Sequence, residues 1–320
     1  MKKLLKVFLF VVLTIVVIGI VGAAYVNTKG IPTYEVKKLD YKVHPDPAKI
    51  TRGKNLVTML CAGCHLNEKT GRLTGAKMDD APEFGLLYSQ NITQDKEYGI
   101  GSWTDGEILF LLRTGILPNG RYSPPYMAKL PYMSDYDIES VISFLRSDDP
   151  IVMAAAVPDK PCEPSFLTKA LCQVAFKPLP FPEKPIPNPD TTKPKEWGQY
   201  LVYNLDCWTC HSPSFEKLNV MDPHKTEGFL SGGNPSIMDR EGRQMVSLNI
   251  TPDEETGIGT WTEEQFVNAV RFGIMEDQPA LRYPMEPYTR LSDSEVKAMY
   301  AYLKTVAPIK NKVDRIIAVE

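Results

Sequence analysis

The chain repeats itself once, and this constrains its architecture more than any other feature. Asn91-Ile-Thr returns as Asn249-Ile-Thr, 158 positions later. The same spacing carries Gly99-Ile-Gly101-Ser-Trp103-Thr104 onto Gly257-Ile-Gly259-Thr-Trp261-Thr262, Gly115 onto Gly273, and Met127 onto Met285. Upstream, Cys61-Ala-Gly-Cys64-His65 matches Cys207-Trp-Thr-Cys210-His211 at a spacing of 146, so the second copy holds 12 more residues between its cysteine motif and its Asn-Ile-Thr. Two copies of a unit of roughly 100 residues are a tandem duplication, not a solenoid. A chain of 320 residues has room for a separate core in each copy.

Each copy carries the same helix signals. A helix leads into each cysteine motif, over 52–60 and 197–205. Thr104-x-x-Glu107 and Thr262-x-x-Gln265 read as capping boxes, and the helices they open stop at Gly115 and Gly273. Ser134 and Ser292 open a last helix, with apolar Ile138, Val141, Ile142 and Leu145 in the first copy and Val296, Met299, Tyr300 and Leu303 in the second at helical spacing. The loops between show no alternating strand pattern. The fold class is therefore all-α: two tandem small helical domains, 47–149 and 193–309, whose long loops need a large group to pack on.

Two further segments complete the organisation. Lys2, Lys3 and Lys6 precede an uncharged run from Val7 to Val26, which at ~1.5 Å per residue spans a ~30 Å hydrocarbon core. Residues 1–26 are thus expected to be an uncleaved single-pass anchor, with the lysines cytoplasmic and everything downstream exported. The small Gly22, Ala23 and Ala24 leave signal cleavage as the alternative. Residues 150–192 form a proline-rich connector that extends as stiff polyproline, interrupted by an amphipathic helix near 165–176. Cys162 and Cys172 bracket that helix, and outside the cytoplasm they are expected to form a disulfide. The net charge of −3 lacks the basic excess that nucleic-acid binding demands.

Cys-x-x-Cys-His is the covalent attachment sequence of c-type haem: cysteines three apart bond the two vinyl groups, and the next histidine reaches the iron. Its occurrence at the head of both copies predicts two covalently bound haem c groups, on Cys61, Cys64 and His65 and on Cys207, Cys210 and His211. A zinc site would need a fourth ligand in each copy, and a thioredoxin-like site a strand–helix alternation that is absent. Met127 and Met285 occupy equivalent positions after Pro/Tyr-rich loops and are the expected sixth ligands; most other methionines have no methionine counterpart in the other copy. His44 and His224 likewise lack counterparts and read as loop histidines.

With these residues in view, the chain resembles the tandem diheme class I c-type cytochromes, and particularly the cytochrome subunits of membrane-bound alcohol, aldehyde and gluconate dehydrogenases. The resemblance covers about 48–147 and 193–308. Its most specific words are Asn249-Ile-Thr-Pro-Asp, Gly257-Ile-Gly-Thr-Trp261 and Pro284-Met285. It implies His65/Met127 and His211/Met285 as the two iron-ligand pairs, and a close crossing of Gly53 with Phe144 and of Gly198 with Tyr302. Trp103 and Trp261 would either donate to haem propionates or pack against the macrocycle. The implied protein is an electron carrier of the bacterial inner membrane, facing the periplasm, with redox proteins or a respiratory complex as partners and no catalytic residues. The other readings are a diheme peroxidase, which should break the symmetry of the two distal loops, and a fixed subunit of a larger complex. The family subunits typically carry three haem motifs and a C-terminal membrane attachment; this chain has two motifs and an N-terminal apolar run.

Overall fold

The computed structural model describes residues 2–79, 82–239, 241–276 and 279–314; position 1 of the expected anchor lies outside them. The architecture is mostly helical. Helix α1 (Lys2–Lys29) is apolar, with a mean hydropathy of 3.0 over an 18-residue stretch, and is long enough to cross a membrane. The first half contains α2 (Pro47–Leu60), α3 (Ala62–His65), α4 (Asp105–Thr114) and α5 (Asp135–Leu145). After α6 (Phe166–Val174), the second half repeats the pattern in α7 (Pro194–Asn204), α8 (Cys207–Cys210), α9 (Glu263–Phe272) and α10 (Asp293–Leu303). Strands are few and short. β1 (Lys77–Met78), β2 (Gly85–Tyr88) and β3 (Glu163–Pro164) form one antiparallel sheet, and β4 (Ile237–Met238) pairs with β5 (Gln244–Met245). They escaped the sequence pattern because two to four residues are too few to alternate.

The expected caps form. Thr104 accepts from Glu107 N while the Glu107 carboxylate accepts from Thr104 N, and Thr262 with Gln265 does the same. Gly115 and Gly273 close α4 and α9 in the left-handed region, at φ 81° and 71°, where only glycine is unstrained. Ser134 and Ser292 cap α5 and α10.

Each half has its own core, built where its first and last helices cross. In the first, Leu56 and Val57 of α2 meet Ile138, Val141, Ile142 and Phe144 of α5; in the second, Leu201 and Val202 of α7 meet Val296, Met299 and Leu303 of α10. The crossing is closer than any side chain would allow. A Cβ on Gly53 would lie 1.9 Å from Ser140 O and 2.8 Å from Phe144 Cβ; on Gly198 it would lie 1.9 Å from Ala298 O and 2.8 Å from Tyr302 Cβ. The glycine–aromatic pairing expected from the resemblance is present in both halves.

The halves also touch. Arg52 of α2 binds Asp137 within its own half (2.8 Å) and Glu295 of α10 across the boundary (2.7 Å). The Tyr200 hydroxyl, on α7, donates to Asp137 (2.7 Å) and accepts from Ser134 N (3.0 Å). Met59 and Leu60, directly before Cys61, pack against both cores.

The proline-rich stretch lies along the first half. Glu163 and Pro164 extend its sheet, Phe181 stacks on Phe110, Leu179 N donates to Thr114 O, and Ile186 exchanges hydrogen bonds with Asp135. The segment after α1 is bound there too, through Tyr34 N to Gly120 O and Val43 N to Asp105.

The Asn-Ile-Thr words form buried turns. Asn91 Oδ1 accepts from Thr93 N and Thr93 Oγ1, and its Nδ2 donates to Ala155 O and Val157 O. Asn249 does the same with Thr251 and donates to Ile309 O. In each half the turn therefore ties the middle of the domain to the segment that follows its last helix.

These contacts set measurable expectations. Gly53→Ala and Gly198→Ala should each cost roughly 1–3 kcal/mol or more through overpacking against rigid backbone, read as a lowered thermal midpoint. Asn91→Ala and Asn249→Ala should each cost about 2 kcal/mol or more by leaving buried partners unsatisfied; denaturant titration measures this, and an unchanged midpoint would contradict the turn's role.

Candidate haem-attachment sites

The two cysteine motifs sit at the same place in the two halves. α2 runs to Leu60, and Cys61 caps it before the short α3 carries Cys64 and His65. The second motif is reached by one more residue: Gly53 and Cys61 are eight apart, Gly198 and Cys207 nine. The extra residue is absorbed at Asp206, whose φ of 61° is left-handed, a region asparagine and aspartate tolerate better than most. Burial pushes the Asp206 carboxyl up to about 6, and Thr209 Oγ1 donates to it.

The two histidines are held identically. His65 Nδ1 donates to Gln90 O at 2.7 Å, and His211 Nδ1 donates to Leu248 O at 2.7 Å. Each acceptor is the residue immediately before Asn-Ile-Thr, so the buried turn positions the carbonyl that orients the ring. With Nδ1 engaged as donor, Nε2 is the nitrogen left to coordinate. Burial lowers both imidazole pKa values and so favours the neutral form. The chain leaving each histidine is pinned as well, by Gly75 N to His65 O and Gly232 N to His211 O.

The methionine loops are closed by matching backbone bonds. In the first half Ser123 N donates to Gly115 O and Leu130 N to Leu112 O; in the second Leu281 N donates to Gly273 O and Tyr288 N to Val270 O. Met285 lines one apolar cleft together with Cys207, Cys210, His211, Trp261 and Tyr288. Met127 packs on the same apolar core as Cys61, Ala62 and Trp103. Burial pushes the Cys61 and Cys207 thiols up to about 12, away from the thiolate that a nucleophilic or redox dithiol needs.

The loops differ in one detail. Lys129 Nζ donates to Pro124 O (2.6 Å) and Met127 O (2.7 Å), clasping the first methionine turn, and burial pushes its ammonium down to about 7. Its position in the second half is taken by Pro287, which lies against Gly273 as Lys129 lies against Gly115. Lys129, Asp206 and the two backbone carbonyls were absent from the sequence-derived site. The carbonyls had a signal, since they precede a repeated word; Lys129 and Asp206 had none, being unmatched between the copies.

The remaining expected residues lie elsewhere. His44 is exposed, and His224 contacts Gln199 and Tyr302 beside Phe229. Cys162 and Cys172 are unbonded thiols in the structure. Cys162 Sγ lies against Tyr88 N and O, at 3.3 and 3.2 Å, and burial pushes the Cys172 thiol up to about 11. Both sulfurs lie near the half-buried Tyr126.

Two thiols, a histidine oriented by a main-chain carbonyl and a methionine lining one apolar cleft fit a covalently held haem. No family model matches the sequence. The chain is 30% identical over 273 residues to one of the subunits of nicotinate dehydrogenase from Pseudomonas putida, covering 81% of this chain and 21% of that protein. It is 26% identical over 283 residues to the fructose dehydrogenase cytochrome subunit of Gluconobacter japonicus, covering 82% and 54%. A diheme cytochrome c-type protein of Cereibacter sphaeroides is 28% identical over 266 residues, covering 78% and 83%. The chain thus spans about a fifth of the first relative and little more than half of the second. Its relatives thus include cytochrome subunits of fructose, alcohol and gluconate dehydrogenases and a diheme c-type cytochrome.

Proposed function

We propose that the chain is a membrane-anchored diheme cytochrome that carries electrons between redox partners and performs no bond chemistry of its own. The observation that supports this most directly is the duplicated histidine setting, in which Nδ1 is occupied by a main-chain carbonyl and Nε2 is left for a metal. The two tandem domains, 47–149 and 193–309, would each bind one haem. Cys61 and Cys64, and Cys207 and Cys210, would form the thioether links; His65 and Met127, and His211 and Met285, would supply the iron ligands. When bound, each haem supplies an iron that gains and loses one electron. The chain's residues orient the ligands, close the distal face with a sulfur donor that favours a higher potential, and exclude water with Trp261, Tyr288 and their apolar neighbours.

The matching methionine loops favour a carrier over a peroxidase, which needs one open or displaceable distal position. Lys2, Lys3 and Lys6 keep the N-terminus of α1 cytoplasmic, so both halves face the periplasm. Relatives named as dehydrogenase cytochrome subunits support a docked form, in which this chain accepts electrons from a partner dehydrogenase and passes them to a respiratory acceptor.

The test is stoichiometry and ligation. Purified protein should carry two haems by alkaline pyridine spectroscopy and intact mass, and Cys207→Ala with Cys210→Ala should leave one. The oxidised spectrum should show the methionine–iron band, reduced in both Met127→His and Met285→His; its absence from the wild type would overturn the ligand assignment. We further expect the Cys162–Cys172 bond to form in exported protein. Intact mass should then fall by the mass of two hydrogens relative to reduced protein, and thiol alkylation of both cysteines without reduction would exclude the bond.

A further inference from the structure

Helix α6 has three faces, only two of which the protein covers. Thr168 and Cys172 are buried against the first half, where Thr168 Oγ1 donates to Phe84 O. Lys169 and Gln173, one turn apart, turn to α1: Lys169 Nζ donates to Asn27 Oδ1 at 2.9 Å, and Gln173 Nε2 donates to Gly30 O at 2.7 Å. The third face is apolar and open. Phe166 is 51% exposed, Leu167 46% and Val174 77%, and Ala170 falls between them at helical spacing.

The position of this face indicates what covers it. The uncharged run of α1 ends at Val26, and the two hydrogen bonds fix α6 beside Asn27 and Gly30, where a spanning helix leaves the hydrocarbon and enters the headgroup layer. The segment after α1 is also fastened: Tyr34 N donates to Gly120 O, Tyr122 N to Pro32 O, and Thr33 pairs with Arg121. The first half is therefore held to the end of α1 on two sides.

We propose that α6 is an interfacial helix, with Phe166, Leu167, Ala170 and Val174 seated in the lipid headgroup–acyl boundary of the outer leaflet. A short apolar stripe with basic flanks suits that boundary: Lys169, held on Asn27, and Lys177, whose Nζ donates to Cys172 O and Gln173 O, border it, while the rings and branches enter the acyl edge. The contact makes the first half a membrane-facing body and brings the Leu117–Tyr122 loop, which leads into the Met127 turn, to the bilayer side. The inference rests on α1 being retained as an anchor.

The full-length protein, reconstituted in vesicles of phosphatidylethanolamine and phosphatidylglycerol, is the test object. A benzophenone amino acid is placed singly at position 166, 167 or 174, at Tyr25 within α1, and at Phe272 in the second half, which is also exposed. After illumination, intact mass should rise by one phospholipid at 166, 167, 174 and 25, and not at 272. Lipid adducts at 25 alone would overturn the interfacial placement and leave the anchor standing. Absence of an adduct at 25 would remove the anchor and the inference with it. Crosslinks from 166, 167 or 174 to protein would assign the face to a partner subunit or a second copy and overturn the proposal. Unchanged far-ultraviolet circular dichroism and haem content guard against misfolding.

Discussion

The hydrogen bond from each histidine's Nδ1 to a main-chain carbonyl is the contact on which the rest of each half depends. A ligating imidazole must be held in one tautomer and one orientation, and the group behind it does that. Here the acceptor is a peptide oxygen that precedes a buried turn. That turn holds its place because an asparagine side chain satisfies its own loop and reaches the stretch of chain beyond the last helix. The last helix in turn meets the helix that leads into the cysteine motif at a glycine, where the two backbones nearly touch. Helix crossing, turn and ring form a closed circuit in each half, and a fault at any member is transmitted to the ring.

This circuit explains how much could be read without coordinates. Repeated words were legible because both copies must satisfy the same geometry: the capping threonines and the C-terminal glycines appear where their spacing put them, and the Gly53 and Gly198 crossings where the resemblance implied them. The amphipathic α6 was also legible from its period. The contacts that escaped were of two kinds. Main-chain acceptors such as Gln90 O carry no side-chain signature, since any residue supplies the same oxygen. Features present in one copy alone, such as Lys129 clasping Met127 and Asp206 absorbing the additional residue, had no counterpart to betray them. The short strands escaped because a pairing of two residues has no period.

The methionine loops of the two halves differ in their buried charges. Arg113 is wholly buried and spans Leu130 O, Met133 O and Asp135, while its counterpart Arg271 binds Asp293 from a more exposed position. The first methionine loop thus has a wholly buried guanidinium and the Lys129 amine, whose charged form burial disfavours, where the second has Pro287 and a partly buried arginine. A cation near a metal centre favours its electron-rich state. Under the proposed ligation, the buried Arg113 guanidinium would bias the first site to hold an added electron more readily than the second.

The bridge made by Arg52 and Tyr200 has a consequence for timing. A flexible tether would let the second half diffuse around the first, so exchange between them would follow linker length and the frequency of productive return. Asp137 instead receives a guanidinium from its own half and a hydroxyl from the other, while Glu295 receives the same guanidinium from across the boundary. The two halves consequently share one frame. Passage between them would be a first-order event at a fixed separation, insensitive to dilution, and lengthening the proline-rich segment would leave its rate unaltered while the bridge stays made.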